Sequence, residues 1–470
     1  MTTFVMYAAA IISVAIVIFM LIKKMDIKIT LFLMGIVLMF VGCALGNPLG
    51  GEDFVSTGSV FLDPLKVIAD QFKSTISSAG FIILILGGYS AYMSAINANS
   101  VTVNVLTKPI AKIKSVYILV PIVFLLGNLL SLVIPSASNL AVILLATLYP
   151  ILIKAGMSSL TAAGIIATTA TIVPTPLGSD NVAIAAELAN TTEFAGLTAT
   201  DYVFKYHAIV SIPTLLIMAA IHFFWQKKCD KKAGVIEAKA VESKDVEEIK
   251  GGALYKTVYA ILPLLPIILL IGSFAVQKIT GAQIDISVEV ATLFSFIVAI
   301  ICEIIRKRNA GETLKETEAF FKGMGGSMPI VALLVAGTVF VTGLKSIGLI
   351  TALQSAMTGL SGGGLGFVLP LILVALTALI VLLSGSGTAL FFAMVPLMVP
   401  LAAAGISPLA VSIPMGLAGN LLRAVSPVSA VVMIVAGSVK REPLEVVKRT
   451  SVPMIAGTVV MFVLSMVIFL

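Results

Sequence analysis

Charge is what this chain has least of: only 11% of its 470 residues are Asp, Glu, Lys or Arg, against about 25% in an average soluble domain. Hydrophobic residues supply 59% of the sequence, and the mean hydropathy is +1.12. Such a composition excludes a soluble globular protein and predicts a chain that lies mostly in lipid. The net charge of +7 comes from basic residues in short connecting loops, as the positive-inside rule expects, and it indicates no nucleic-acid partner.

Cysteine is also scarce, with three residues in the whole sequence. Cys43, Cys229 and Cys302 are too scattered to predict a disulfide framework or a metal site. The sequence contains no H-E-x-x-H, P-loop, G-x-S-x-G or C-x-x-C motif, which argues against a membrane protease, an ATP-driven pump and a hydrolase. We therefore expect a protein that is not an enzyme and that needs no cofactor.

What the chain does have is a series of apolar runs, each near the roughly 20 residues needed to cross a bilayer. The first run, residues 4–22, has no basic segment before it and no clear cleavage site, so we predict a permanent span. The pattern predicts an all-α polytopic membrane protein with about ten transmembrane helices plus two re-entrant hairpins, in two inverted-topology repeats. The most hydrophilic segment, 226–256, is predicted to be a cytoplasmic linker between membrane halves at 1–225 and 257–470.

The hairpins are predicted from the parity of the basic loops, which the positive-inside rule places in the cytoplasm. Residues 115–153 would enter the membrane from the cytoplasm, and residues 365–403 would enter from outside. Each segment consists of two apolar stretches separated by a short polar cluster. Hydropathy alone does not separate such a hairpin from two full crossings, which is the alternative.

The two polar clusters look alike and lie about 250 residues apart, at 134–139 and 383–388. A second polar break follows each one, at 175–181 and 420–427. Breaks in corresponding places of two halves indicate the binding site of a secondary transporter. Helix N-termini at such breaks suit an anion, and ordinary caps without a ligand are the alternative. The candidate substrate-binding residues are Ser136, Ser138, Asn139, Thr175, Ser384, Ser386, Thr388, Asn420, Arg423 and Ser426.

Two charged residues in the breaks allow more than one interpretation. Arg423 lies between apolar runs, where an arginine costs at least ~2.5–3.5 kcal/mol without a partner. Its planar guanidinium suits a substrate carboxylate, and a structural arginine that holds the carbonyls of a broken helix is the alternative. Asp180, with Asn181, would coordinate Na⁺ or carry a proton as the coupling ion. Capping of the next helix and pairing with Arg423 remain open for Asp180.

Several stretches of the sequence are typical of one family: residues 222–227 (HFFWQK), 260–263 (AILP), 426–429 (SPVS) and 445–453 (EVVKRTSVP). With the Asn420…Arg423…Ser426 pattern, they make nearly the whole chain resemble the anaerobic C4-dicarboxylate carriers of type C. The resemblance implies exchange or uptake of fumarate, malate, aspartate and succinate, or efflux of succinate, in anaerobic bacteria. It also implies the ion-transporter superfamily fold, with inverted repeats, re-entrant hairpins and elevator-like movement. Thr388 departs from the family, which tends to place Asn there, and this bears on substrate preference.

These features together predict a secondary active transporter of C4-dicarboxylates in the bacterial plasma (inner) membrane. It would work by exchange or by cation-coupled transport, with elevator-like alternating access. The expected partners are the dicarboxylate substrate and the lipid bilayer, and a homodimer is the candidate assembly. A carrier for another carboxylate or an amino acid, and an anion channel, are the rival interpretations.

Overall fold

The computed structural model describes residues 2–470 except 24, 48, 50–53, 114, 135, 235–250, 282–285, 353–365 and 403–405. Every regular element in these ranges is a helix, so the all-α prediction is confirmed. The first half contains α1 (Thr2–Ile22), α2 (Ile27–Ala44), α3 (Asp63–Thr75), α4 (Phe81–Ala95), α5 (Ala98–Thr107), α6 (Val116–Ser131), α7 (Ala137–Thr147), α8 (Tyr149–Lys154), α9 (Ser159–Ala167), α10 (Ser179–Leu188), α11 (Ala199–Asp201) and α12 (Ala208–Lys232).

The second half contains α13 (Ala253–Ile261), α14 (Leu265–Thr280), α15 (Val288–Lys307), α16 (Ala310–Glu316), α17 (Glu318–Ser346), α18 (Val368–Ser384), α19 (Gly387–Met394), α20 (Met398–Ala402), α21 (Pro408–Arg423), α22 (Ala430–Ser438) and α23 (Pro443–Phe469). Short 3₁₀ or π segments join some of these helices, at Ile76–Gly80, Lys108–Lys112, Tyr202–His207, Leu262–Leu264 and Val395–Leu397.

Seven helical stretches in the described part of the chain are long and apolar enough to cross a membrane: Ile27–Ala44, Asp63–Ala95, Ala199–Lys232, Ala253–Thr280, Val288–Lys307, Ala310–Ser346 and Pro443–Phe469. Shorter apolar helices lie at Phe4–Met20, Val116–Ser131, Ala137–Thr147, Val368–Ser384 and Phe391–Pro400. The two predicted hairpin segments therefore consist of shorter helices than the spans around them.

The end of the first half differs from the predicted boundary at residue 225. Helix α12 continues to Lys232, into the segment that we predicted as a linker. Lys231 and Lys232 occupy its last turn, where cations interact favourably with the helix dipole. Asp230 is buried and bonded to other helices, which keeps this last turn attached to the protein. Residues 235–250 of the linker lie outside the described residues, and α13 begins at Ala253.

Helices α2, α4 and α17 pack backbone against backbone and form one side of the molecule, here named the wall. A Cβ built on Gly35 of α2 would lie 2.8 Å from the carbonyl oxygen of Val339 on α17. A Cβ on Gly323 of α17 would lie 2.6 Å from the carbonyl oxygen of Gly87 on α4. Small residues are what permits such close helix crossings in membranes.

The polar breaks lie in a second group of helices, here named the core: α6–α10, α12 and α18–α23. Its two halves are joined by a buried ion pair, in which Arg449 Nη2 of α23 lies 2.8 Å from Asp230 Oδ1 of α12. The same carboxylate accepts hydrogen bonds of 2.9 Å from the hydroxyls of Ser158 and Thr161, at the start of α9. The side chains of Asp230 and Arg449 are only 3% and 5% exposed.

Candidate functional site

Both predicted hairpin tips line one cavity of about 750 Å³, between the core and the wall. The wall contributes small residues from α4 and α17, among them Gly87, Ser90, Ser94, Gly326 and Ser327. The core contributes hydroxyl, amide and charged side chains from the tips and the breaks. The site residues from the sequence that line the cavity are Ser136, Ser138, Asn139, Asp180, Ser384, Ser386, Asn420 and Arg423.

Four helix N-termini meet at this cavity, two from each half of the chain. Helix α7 begins after Ser136, whose hydroxyl accepts the N–H of Asn139 at 3.4 Å, and α19 begins at the second tip. Helix α10 begins at Ser179, and α22 is capped by Ser429. Each N-terminus carries roughly half a positive elementary charge. The sequence predicted the N-termini of the two tips, and the structure adds those of α10 and α22.

Glycine determines the shape of the second tip. Gly385 has a φ of +74°, in the left-handed region that favours glycine. A Cβ built on Gly387 would lie 2.3 Å from the carbonyl oxygen of Gly419. The backbone of the tip therefore lies directly against α21, one turn before Arg423, and only glycine permits that approach.

Two of the lining residues that the structure describes are charged, Asp180 and Arg423. Asn420 Nδ2 donates to Asp180 Oδ2 at 2.8 Å. Arg423 instead donates through Nη2 to the carbonyl oxygen of Ala170. Ala170 lies in the segment between α9 and α10, residues 168–178, which includes the start of the predicted break at 175–181 and is called the first break from here on. Among the described residues, the ion pairs within 4.0 Å do not include Asp180 with Arg423. The guanidinium thus donates its hydrogen bond to a neutral carbonyl, although the side chain of Asp180 lines the same cavity.

Three candidate residues lie behind the cavity rather than along it. Asn181 donates 2.9 Å hydrogen bonds to the carbonyl oxygens of Val173 and Thr175, and so holds the first break closed on itself. The hydroxyl of Thr175 accepts the N–H of Leu177 at 3.2 Å. Ser426 is fully buried. The side chain of Thr388 and the whole of Pro135 lie outside the described residues.

The first arms of the two predicted hairpins are α6 and α18. Each of them is bonded to the break of its own half, and each break is also bonded to one long helix. In the second half, the Ser426 hydroxyl donates to the Leu382 carbonyl of α18 at 3.0 Å, and Thr450 of α23 donates to the Ala424 carbonyl at 2.6 Å. In the first half, Asn128 of α6 bonds to residues 168–172. His222 of α12 lies 3.3 Å from the Thr168 hydroxyl through Nε2.

Asn128 is the site-supporting residue that reasoning from sequence missed. A signal was present, because it is an amide within an otherwise apolar run (116–130), and polar side chains in membrane helices usually bond to another helix. Its partners lie about 40 residues further along the chain, and no local pattern identifies them.

Comparison with known proteins gives one consistent family. A family model described as the C4-dicarboxylate anaerobic carrier, DcuC, matches residues 6–470. The chain is 37% identical over 435 residues to the anaerobic C4-dicarboxylate transporter DcuC of Escherichia coli K12, covering 92% of this chain and 90% of the relative. It is 36% identical over 437 residues to the probable anaerobic C4-dicarboxylate transporter DcuC of Vibrio cholerae, covering 92% and 91%.

Two solved structures share the fold. The YdaH transporter of Alcanivorax borkumensis aligns with a TM-score of 0.65 and 17% identity, covering 94% of this chain and 98% of the other. MtrF of Neisseria gonorrhoeae, described as one of a class of antimetabolite efflux pumps, aligns with a TM-score of 0.66 and 15% identity, covering 94% and 95%. At these identities the likeness extends to the fold alone.

Proposed function

The chain belongs to the C4-dicarboxylate anaerobic carrier family, DcuC, and on that premise we propose that it is a secondary active transporter of C4-dicarboxylates such as fumarate, succinate, malate and aspartate. It is a multi-pass membrane transporter and not an enzyme. The observation that carries the proposed substrate class is the cavity itself, where four helix N-termini and one arginine converge.

The charge of the cavity suits a dianion. If Asp180 and Arg423 are both ionised, their charges cancel. Four N-termini at roughly +0.5 each then offset about two negative charges, and a C4-dicarboxylate carries two. The cavity volume of about 750 Å³ falls in the usual range of ligand pockets, about 300–1,000 Å³.

We assign roles to the lining residues by their positions. Arg423 would leave the Ala170 carbonyl and bind one substrate carboxylate, since a charge-assisted bidentate pair is stronger than a bond to a neutral carbonyl. The tips would bind the substrate from two sides through Ser136, Ser138 and Asn139, and through Ser384 and Ser386. Asn420 would add a polar contact. Thr175, Asn181 and Ser426 would act through the backbone that their hydrogen bonds hold.

We further propose that residues 115–153 and 365–403 are re-entrant hairpins of two inverted repeats, within a fold of about ten transmembrane helices. Two helices that begin at the tips support this proposal. Helix α7 continues through Leu148 into α8, and α19 continues through Val395–Leu397 into α20, so the helical runs that start at the tips span residues 137–154 and 387–402. They are about 27 and 24 Å long at 1.5 Å per residue. Neither covers the roughly 30 Å hydrocarbon core. Alternating access would follow from elevator-like movement of the core along the wall, in the plasma membrane, with a homodimer as the candidate assembly.

Electrostatics limits how such a transporter is driven. Each charge moved against 100 mV costs ~2.3 kcal/mol, so uncoupled uptake of a dianion costs about 4.6 kcal/mol per 100 mV. Exchange of one dianion for another removes this cost, and the movement of two or three protons or sodium ions with the dianion offsets or reverses it. We propose the Asp180–Asn181 segment as the position of the coupling proton or Na⁺.

Counterflow in proteoliposomes tests the substrate class. Vesicles loaded with unlabelled succinate, fumarate, malate or aspartate should accumulate labelled succinate, with saturation and trans-stimulation. A panel of monocarboxylates and amino acids, with and without Na⁺ and a pH gradient, separates the rival carriers. Absence of exchange with every C4-dicarboxylate would reject the proposal, and non-saturating flux without trans-stimulation would indicate a channel.

An arginine variant links the cavity to the transport. Arg423→Lys should lose at least nine-tenths of the counterflow, because a lysine ammonium cannot form the planar bidentate pair. Arg441→Lys is the matched control, since Arg441 is exposed, at the cytoplasmic end of the core in the predicted topology. The quantity of purified, reconstituted protein must be the same for both variants. Full counterflow in Arg423→Lys would remove Arg423 from the proposed site.

A further inference from the structure

Asn128 is a buried amide, 2% exposed, that bonds the first arm to the first break with both ends of its side chain. Its Oδ1 accepts the N–H of Thr171 at 3.1 Å and the N–H of Ile172 at 3.3 Å, and it also accepts the Thr171 hydroxyl at 3.3 Å. Its Nδ2 donates to the carbonyls of Thr168 at 3.2 Å and Phe124 at 2.9 Å. A flipped amide would set N–H against N–H, so this orientation of the side chain is the one that the partners require.

A single peptide group, between Ala170 and Thr171, connects Asn128 to Arg423. The N–H of Thr171 and the carbonyl of Ala170 belong to the same planar trans peptide, in which the two groups point in opposite directions. Asn128 holds the N–H end of this peptide, and Arg423 donates to its carbonyl end. The peptide therefore connects an amide of the first half to the arginine of the second half.

We propose that Asn128 is a positioning residue of the substrate site, which fixes the Ala170–Thr171 peptide and thereby the resting orientation of the Arg423 guanidinium. This orientation matters because Asp180 lines the same cavity. A guanidinium released from the Ala170 carbonyl has the Asp180 carboxylate as its alternative partner. An ion pair between them would have to break before a dianion could bind, and the affinity for the dianion would fall.

Two variants separate this role from general stability. Asn128→Ser keeps a small polar side chain that can bond back to the Phe124 carbonyl within its own helix, but its oxygen is too close to the backbone to reach Thr171 or Ile172. Asn128→Asp keeps an oxygen acceptor at the position of Oδ1 and, as the neutral acid, an O–H donor at the position of Nδ2. The two substitutions therefore differ in whether the N–H groups of the break retain their acceptor.

Thr102→Val is the matched control. It removes one buried hydrogen bond between elements, from the Thr102 hydroxyl to the Ala260 carbonyl at 3.1 Å, away from the cavity. A loss of stability that is common to buried polar residues would appear in this variant as well. Thermal melting of each purified protein shows that it is folded before its transport is compared.

The first measurement is the concentration dependence of succinate counterflow, which rests on the proposed function. We expect Asn128→Ser to raise KM about tenfold with little change in the maximal rate, Asn128→Asp to stay within threefold of wild type, and Thr102→Val within twofold. Asp180→Asn, introduced into Asn128→Ser, should return KM to the value of the Asp180→Asn variant alone. If Asn128 had only a structural role, its effect on KM and the effect of Asp180→Asn would instead add in the double variant.

The second measurement needs no substrate: the rate at which phenylglyoxal modifies Arg423, followed by mass spectrometry of its peptide. We expect Asn128→Ser to slow the modification at least threefold, because phenylglyoxal reacts with the neutral guanidine and an ion pair with Asp180 favours the protonated form. Asn128→Asp should restore the rate. A folded Asn128→Ser protein with wild-type KM and wild-type modification rate would overturn the proposal. If Asn128→Ser does not fold, a tenfold higher KM or a threefold slower modification in folded Asn128→Asp overturns it.

The two measurements also separate the failure of this inference from that of the proposed function. If the wild-type protein shows no dicarboxylate counterflow, the proposed function fails and the modification rates alone decide the role of Asn128. If wild-type counterflow is present and the Asn128 variants have the KM and the modification rate of wild type, the proposed function is supported and the positioning role of Asn128 is rejected.

Discussion

Asp180 is the acidic residue among the described residues that line the cavity, and it accepts a hydrogen bond from Asn420. Replacement by asparagine keeps a carbonyl acceptor for that bond and removes the charge. If this carboxylate carries the coupling proton or Na⁺, Asp180→Asn should retain at least a third of the succinate counterflow, because exchange needs no coupling ion. Net uptake should lose its stimulation by a pH or Na⁺ gradient. Both are measured in the same proteoliposomes, first with internal succinate and then without it.

Asp201→Asn is the control for that variant. Asp201 forms a 2.7 Å ion pair with Lys205, and both side chains are partly exposed, so it removes a carboxylate without touching the cavity. It should leave exchange and gradient-driven uptake unchanged. Gradient stimulation that persists in Asp180→Asn would exclude this carboxylate as the site of coupling.

Among the structural elements, the second predicted tip, residues 383–388, depends most directly on a close backbone approach. Gly387→Ala would place a Cβ 2.3 Å from the Gly419 carbonyl oxygen, so α19 and α21 must separate. Strain of this kind typically costs about 1–3 kcal/mol. We expect a lower melting temperature and a loss of most counterflow, since the separation also displaces the segment that carries Arg423.

Gly437→Ala is the matched substitution on α22. A Cβ there meets nothing within 4 Å, and alanine favours a helix by about 1 kcal/mol over glycine. The melting temperature should stay the same or rise, with transport unchanged. Equal behaviour of the two variants would contradict a tight contact between the tip and α21.

The same elements show how far the sequence could predict the site. Both tips and both breaks were predictable, because Ser, Gly and Asn interrupt long apolar runs. Which side chains of a break face the cavity was not predictable: Asn420 lines it, whereas Asn181 bonds to its own break. Both asparagines lie in helical turns, Asn420 in the last turn of α21 and Asn181 in the first turn of α10. The face that each turn presents to the cavity depends on the unwound segment beside it, whose backbone dihedral angles follow no period. Asn128 was missed because its role depends on partners about 40 residues further along the chain, in the segment between α9 and α10.

Across the whole molecule, the buried pair of Asp230 and Arg449 joins the two halves of the core. Asp230→Asn should leave the arginine charge buried without its carboxylate, which typically costs about 3–5 kcal/mol. We expect a large fall in the melting temperature, measured on the purified protein in detergent. The double variant Asp230→Leu with Arg449→Met should recover part of that loss, because it leaves no unpaired charge.

An exposed ion pair at the N-terminal end of α23 provides the control. Arg441 and Glu445 lie 4.0 Å apart, and both side chains are more than a third exposed. Glu445→Gln should therefore change the melting temperature little. If Asp230→Asn also melts like the wild type, the buried pair does not hold the halves together.

The proposed movement of the core along the wall can be tested where the two touch. A Cβ built on Gly337 of α17 would lie 3.1 Å from the Cα of Ala393 on α19. Two cysteines this close can form a disulfide, which needs a Cα–Cα distance of about 4.4–6.8 Å. The Cβ at residue 337 would lie 2.8 Å from the Ala393 carbonyl oxygen, so the reduced Gly337→Cys/Ala393→Cys protein, in a background without Cys43, Cys229 and Cys302, should transport more slowly than that background. Oxidation should stop the counterflow that remains. Reduction should restore that counterflow.

A second cysteine pair separates locking from simple cross-linking. A Cβ on Gly35 of α2 would lie 2.8 Å from the carbonyl oxygen of Val339 on α17. The Cβ on Gly337 would also lie 2.8 Å from a carbonyl oxygen, that of Ala393. Both members of the Gly35–Val339 pair belong to the wall, so the strain is matched while the cross-link joins parts that would move together. Oxidised Gly35→Cys/Val339→Cys should therefore keep its counterflow. If the Gly337–Ala393 disulfide leaves transport intact as well, α19 does not move against α17, and alternating access must come from movement within the core.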